Sequence, residues 1–245
     1  MNNDELFEVD DPNLPEWSKN PIAVFDLETT GLDFRTSRIV TACAVLLNAD
    51  GSVEGKNVEW LANPGIPIPI EASNVHGITD EIAQAKGADL GQVVSQIIET
   101  LKNYFDAGIP VVAYNAPYDF TILRQHAEDF GIEWPENPGP IIDPLVLDKK
   151  LEKYRKGKRR LEVVAEYYGV ALDDAHNATA DAIAAGHVAQ ALARKYSKEL
   201  NMTLDELHAR QALWSNEADE SFAQYMKNVN PDFKIVLGWP EKPRG

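Results

Sequence analysis

Cysteine is nearly absent from the chain, with Cys43 alone among 245 residues. An internal disulfide is therefore impossible, and a single thiol argues against a Cys-based zinc site. Long apolar runs are missing too, since nothing approaches the ~20 residues that a membrane span needs. The start, Met1-Asn2-Asn3-Asp4-Glu5, is acidic and lacks the basic region and apolar stretch of a signal peptide. Together these absences point to a reducing cytoplasmic setting without membrane contact. Basic residues are also short: 23 Lys and Arg face 39 Asp and Glu, a formal net charge of −16. Such a surface argues against a protein that coats nucleic acid over its whole area, because phosphate neutralisation needs cations. It leaves room for a local site. Between Asp148 and Arg160, eight basic residues outnumber two acids, the one confined basic patch.

What is present is ordinary globular material, 44% hydrophobic and 25% charged. Its length suits one large domain, or a domain with an appendage. Ile22-Ala23-Val24-Phe25-Asp26-Leu27-Glu28-Thr29 reads as a strand running into the turn Thr30-Gly31. Side chains alternate faces along a strand, so Asp26 and Glu28 share one face with Val24 while Phe25 and Leu27 share the other. Both faces begin apolar, which predicts burial on both sides. Two acids side by side at the end of such a strand repel each other and lose solvation. They could mark where the strand meets water, or they could await a pair of divalent cations.

The remaining chain alternates in a recognisable way. Residues 1–17 are acidic and carry Pro12 and Pro15, reading as a loosely held arm. Strands are expected over 38–47 and 53–61, joined by Asn48-Ala49-Asp50-Gly51, so the sheet opens as an antiparallel meander. A short helix near Ile70 ends around Gly77. Asp89-Leu90-Gly91-Gln92 carries a capping-box pattern, and Val93, Val94, Ile97, Ile98, Leu101 and Phe105 follow at helical spacing. Short strands are expected over 109–114 and 140–143, with helices after Pro117, around Leu145, over 161–168 and after Asn177. Thr203-Leu204-Asp205-Glu206 opens a further helix towards Lys227. Trp214, Phe222, Tyr225 and Trp239 in this last stretch are expected to pack the added helix onto the domain. The order of elements predicts an α/β domain with a mixed sheet.

Two more acids stand out. Asp119 falls in the first turn of a helix, where the helix dipole favours an anion on its own account. Asp181 interrupts the small-residue helix Ala178-Thr179-Ala180-Asp181-Ala182-Ile183-Ala184-Ala185, and His176 stands five residues before it.

Three segments in order, Phe25-Asp26-Leu27-Glu28-Thr29-Thr30-Gly31-Leu32, Tyr114-Asn115-Ala116-Pro117-Tyr118-Asp119-Phe120 and His176-Asn177-Ala178-Thr179-Ala180-Asp181, resemble the motifs of the DEDDh exonucleases. These are the family of the proofreading epsilon subunit of bacterial DNA polymerase III. Val75-His76-Gly77-Ile78-Thr79 resembles the segment lining that family's 3′-nucleotide pocket. The likeness covers about residues 20–194, with Tyr118 standing where the motif usually has Phe. It implies a ribonuclease-H-like fold for an exonuclease domain (18–195); the acidic arm (1–17) and a C-terminal helical extension (196–245), read from their own residues, lie outside the likeness.

The resemblance further implies a 3′→5′ exonuclease that releases nucleoside monophosphates from single-stranded ends, DNA favoured. Asp26, Glu28, Asp119 and Asp181 would hold two Mg²⁺, with Mn²⁺ able to substitute and Asp26 bridging both ions. Hard oxygen donors suit such ions, and two of them set roughly 4 Å apart activate water and stabilise the phosphorane-like state. His176, with an ordinary pKa of ~6.5, would take the proton from the attacking water. Thr29, Thr30, Gly31, Leu32 and His76 would bind the terminal nucleotide. The basic patch would steer the strand, or else be a solvated loop. Replication or repair proteins are expected partners. An RNA-clearing enzyme of the same chemistry and a non-cutting binding module are the alternatives.

Overall fold

The computed structural model describes residues 12–172 and 177–244. Within them, β1 (Ile22–Thr29) lies in the interior of a six-stranded sheet, as its two apolar faces require. β2 (Ile39–Leu47) and β3 (Val53–Asn63) follow antiparallel, the link between them tightened by the Gly51 amide donating to Asn48 O at 2.9 Å. β4 (Ala88–Asp89) lies parallel to β3, while β5 (Val111–Val112) and β6 (Ile141–Ile142) continue parallel beyond β1. The resulting order is β4-β3-β2-β1-β5-β6, the expected mixed sheet.

Helices cover both faces. In chain order they are α1 (Ile70–His76), α2 (Asp80–Lys86), α3 (Leu90–Asp106), α4 (Ala116–Phe130), α5 (Pro144–Leu151), α6 (Leu161–Tyr168), α7 (Ala178–Lys195) and α8 (Leu204–Lys227). Their starts follow local chemistry. Asp89 accepts the Gln92 amide at 3.0 Å, Asn177 the Thr179 amide at 3.0 Å, and Thr203 the Glu206 amide at 3.2 Å. Phe25, Leu27 and Val111 pack with Val94 and Ile97 of α3 and with Phe120 and Leu123 of α4. Val24, Val45 and Val112 face Ala182, Ala185, Val188 and Ala189 of α7.

Small residues bring α7 close to the sheet. A methyl group added at Gly186 would lie 2.5 Å from both Leu47 Cδ1 and Val24 Cγ1. That distance sets how near the first turn of α7, with Asp181, comes to the acids of β1.

The segment after α7 completes the far edge of the sheet. Gln211 of α8 accepts the Asp143 amide at 2.7 Å and donates to Ile141 O at 2.9 Å, capping β6 as another strand would. His208 Nδ1 accepts the Ile141 amide at 3.0 Å. Further on, the Lys242 amide donates to Thr121 Oγ1 at 2.8 Å, and Glu241 accepts from Arg124 and from Trp134 Nε1, both at 2.9 Å. The tail therefore lies along α4.

Several expectations need correction. Leu14 and Trp17 are buried, so the described end of the acidic arm is packed rather than loose. The strand expected over 109–114 is paired only at Val111 and Val112. β4 and α2 carry no pattern that the sequence reading singled out. Trp239 is buried and Trp214 partly so, as expected for packing, but Phe222 and Tyr225 face solvent. No helix among the described residues is long and apolar enough to cross a membrane.

Gly186→Ala is expected to cost about 1–3 kcal/mol through overpacking against Val24 and Leu47. Urea unfolding reads this as a lowered midpoint, and an unchanged midpoint would show slack between α7 and the sheet.

Candidate functional site

The acids of β1 lie where its parallel neighbour has stopped. Pairing with β5 ends at Val24 and Val112, and farther along the same edge the Leu27 amide donates to Asp119 Oδ1 at 3.1 Å. A helix side chain thus takes over a ladder position, fixing Asp119 beside Asp26 and Glu28. Asp119 is buried, whereas Asp26, Glu28 and Asp181 are partly exposed.

The start of α4 has an unexpected anchor. Asn115 adopts the left-handed conformation (φ 66°, ψ 47°) and makes no side-chain cap. The fully buried carboxylate of Asp143 accepts the Asn115 and Ala116 amides instead, each at 3.0 Å. It also caps α5 through the Leu145 amide at 3.0 Å and accepts from Trp239 Nε1 at 3.2 Å. Burial pushes the Asp143 carboxyl up, and these donors oppose the shift.

Electrostatics shows that the four acids converge. Burial pushes the Asp26 carboxyl well above its ordinary range, and Asp119, Glu28 and Asp181 push it further in that order. Glu28 is raised to about 7, first by burial and then by Asp181. Asp119 is raised well above its ordinary value by burial, opposed by its own amide and that of Leu27, with Asp143 and Glu28 adding to the rise. Each of these three anions is destabilised where it stands, first by burial and then by its neighbours' charge.

Cys43 faces Asp26 across the β1–β2 pair and donates to Ala178 O at 3.0 Å. Burial and then Asp26 hold its thiol protonated, so it is a packing residue rather than a nucleophile.

A cleft of about 400 Å³ opens beside the acids. Glu28, Thr41, Glu59, Trp60, His76 and Thr179 are among its lining residues, and the Thr179 hydroxyl donates to Glu59 at 2.6 Å. His76 Nδ1 accepts the Ile78 amide at 3.2 Å, while its Nε2 is buried and meets no partner in hydrogen-bond geometry. Burial lowers the His76 pKa, an effect that the Thr29 backbone opposes, so a neutral ring faces the cleft.

The turn after Glu28 is held by Tyr118. Its hydroxyl bonds the Gly31 carbonyl and lies 2.5 Å from Thr29 Oγ1. Thr30 and Arg38 exchange bonds at 2.9 and 3.0 Å. Thr29 and Thr30 are buried as a result, and Leu32 projects with 93% of its surface exposed. The departure from Phe at position 118 therefore adds a tie to the turn.

The structure accordingly gathers Asp26, Glu28, Asp119 and Asp181, and sets His76 and the 29–32 turn at their edge. His176 lies outside the described residues. Among the described residues no group of three or more His, Cys, Asp and Glu side chains is disposed to hold a metal ion as it stands. The donor set itself is all carboxylate, the chemistry of a hard divalent cation. Sequence reasoning missed Asp143, whose Asp-Pro context signals only the cap of α5. It also missed Glu59, Trp60 and Thr41, which have no motif of their own.

Two of the eight cations of the basic patch turn inward. Arg155 and Arg159 pair with the fully buried Asp148, the former at 2.8 Å, and the Tyr168 hydroxyl joins them at 2.9 Å. Lys153, Lys156, Lys158 and Arg160 remain exposed around Tyr154.

Comparison with known proteins bears on the family and the fold. An epsilon-like DNA polymerase III subunit of Rhodobacter capsulatus is 31% identical over 172 residues, covering 68% of this chain and 23% of that protein. A PolC-type DNA polymerase III of Lacticaseibacillus paracasei is 31% identical over 188 residues, covering 76% of this chain and 12% of that protein. The chain thus spans less than a quarter of the length of either relative. In three dimensions it is similar to Escherichia coli exonuclease I in complex with a dA16 oligonucleotide, with a TM-score of 0.60 and 20% identity over 74% of this chain and 42% of that one. That likeness speaks to the shared ribonuclease-H-like fold. The RNase_T exonuclease model matches residues 23–189, well over half the sequence, and the chain belongs to that exonuclease family.

Proposed function

We propose that the chain is a DEDDh-type 3′→5′ exonuclease that depends on divalent metal and acts on single-stranded nucleic acid, DNA favoured. The observation that carries this reading is the burial of neighbouring carboxylates brought together from β1, α4 and α7, which raises Asp26, Glu28 and Asp119 first by desolvation and then by repulsion. The DNA preference is supported by the polymerase III relatives and by the oligonucleotide held by exonuclease I. Replication or repair proteins are the partner class that such relatives suggest.

Asp26, Glu28, Asp119 and Asp181 are the residues that would hold Mg²⁺ or Mn²⁺. When bound, two such ions supply Lewis acidity and neutralise charge on the reacting phosphate. The chain's own residues do the rest. The Thr29–Leu32 turn and His76 position the terminal nucleotide at the cleft, with Leu32 exposed to meet a base. Tyr118 keeps that turn in place. His176 accepts a proton from the attacking water, whose oxygen bonds to phosphorus as the bond to the 3′ oxygen of the preceding nucleotide breaks. That oxygen takes up a proton and becomes the new 3′ hydroxyl, and the released product is a 5′-monophosphate.

The assay is hydrolysis of 3′-labelled oligonucleotides with Mg²⁺. Asp26→Ala is expected to abolish cleavage, and His176→Ala to lower kcat by about 10²–10⁴-fold. Single-stranded DNA should be cut faster than RNA of equal length. Undiminished turnover in Asp26→Ala contradicts the proposal, and faster RNA cleavage assigns the activity to RNA ends.

Stability of the metal-free protein should carry the same signature. A carboxyl raised on folding binds its proton more tightly in the native state, so its contribution favours folding at low pH. For Glu28 that contribution is lost as pH climbs from 4.5, its ordinary value, through about 7. Over this window the melting temperature of Glu28→Gln should fall less than that of the unaltered protein, both measured with EDTA. Parallel curves would refute the raised proton affinity of Glu28.

A further inference from the structure

The turn that Tyr118 holds is followed by a loop bordering a second and larger cavity, about 680 Å³, separate from the acid cleft. Its walls are residues 35–38, Ile66, Leu90 and the C-terminal half of α4, with Arg244 from the tail. In a protein of formal net charge −16, three guanidinium groups at one cavity need an explanation.

The charges do not cancel within it. Arg244 is satisfied by Glu128 at 3.0 Å and Asp129 at 2.6 Å, which also neutralises the cavity's one acid. Arg38 gives one nitrogen to Pro64 O at 2.9 Å, and Arg35 rests its guanidinium over Phe34 at 5.1 Å. Among the described residues neither Arg35 nor Arg38 makes an ion pair. Gln125 supplies the second observation. Its side chain is only 7% exposed, it lines the cavity, and its Nε2 is buried without an acceptor. His126 is committed to the helix backbone, its Nδ1 lying 2.8 Å from Ile122 O, and burial disfavours its charged form.

Two guanidinium groups without an anionic partner among the described residues and an orphaned amide donor would all be served by an anion with several acceptor oxygens. Guanidinium forks match the oxygens of a phosphate, and the amide meets a third oxygen from the helix side. The cavity has room for more than the anion, and Leu90, Ile66 and Phe130 give it an apolar wall. We propose that this cavity is a binding site for a phosphate group, distinct from the acid cleft. The phosphate belongs either to the backbone of a bound strand or to a free mononucleotide. Because the Arg38 carbonyl accepts the Thr30 amide and the Arg38 amide donates to Thr30 Oγ1, occupancy bears directly on the turn beside the acids.

Calorimetric titration of the full-length protein in EDTA tests this without reference to hydrolysis, so the result stands whether or not the exonuclease reading does. The probe is inorganic phosphate, followed by thymidine 5′-monophosphate. The expected result is saturable phosphate binding, weakened about tenfold or more in Arg35→Gln and again in Gln125→Leu. Arg35 makes no side-chain bond that the fold uses, and Gln125→Leu keeps the volume, so melting curves should show both variants folded. Two further readings assign the source. A KM for oligothymidylates that rises in Arg35→Gln only beyond a certain length identifies a backbone phosphate. A monophosphate that binds more tightly than phosphate, an advantage lost in Arg35→Gln while KM stays unchanged, identifies a free mononucleotide. No phosphate binding at millimolar concentrations, or equal binding in the unaltered protein and Arg35→Gln, overturns the proposal.

Discussion

Like charges held close together are the constraint on which this molecule depends. Asp26, Glu28, Asp119 and Asp181 come from three elements, and burial together with their neighbouring charges raises the proton affinity of Asp26, Glu28 and Asp119. Folding gains nothing from that arrangement by itself, because burying carboxylates without partners is unfavourable. The rest of the chain must hold them in place against their repulsion. The sheet and its helices can be read as the frame that does so.

Each acid has its own support. β1 is buried on both faces inside the sheet, so Asp26 and Glu28 sit on a strand held from every side. Asp119 is fixed twice, through its own bond to the Leu27 amide and through Asp143, which anchors the first residues of α4. Asp143 in turn is held by Gln211 and Trp239, so residues beyond the exonuclease match contribute to the geometry of the acids. Asp181 is placed by the close approach of α7 at Gly186. Tyr118 carries the same frame outward to the 29–31 turn. The C-terminal segment is thus more than a helix added to the surface.

Much of this was legible in the sequence where the signal is local. Alternation along Ile22–Thr29 announced a two-faced strand, and Asp89, Asn177 and Thr203 announced helix starts by the chemistry of their side chains. The alanines of α7 announced a close helix–sheet contact. What was not legible depends on partners distant in sequence. Asn115 looks like a helix cap but adopts a left-handed turn, and Asp143 does the capping from 28 residues away. Arg155 and Arg159 look like part of a basic patch until the buried Asp148 is seen between them. β4 is two residues long and exists only because β3 lies beside it. Charge counting along the chain cannot separate cations that serve the core from those that serve a ligand.

The central claim is that the repelling acids form one cation site. Calorimetric titration of the EDTA-stripped protein with Mn²⁺, beside the Asp26→Asn variant, tests it most directly. The account predicts saturable binding of two ions per chain, with at least one lost in the variant. Absence of saturable binding, or the same stoichiometry in both proteins, would contradict it.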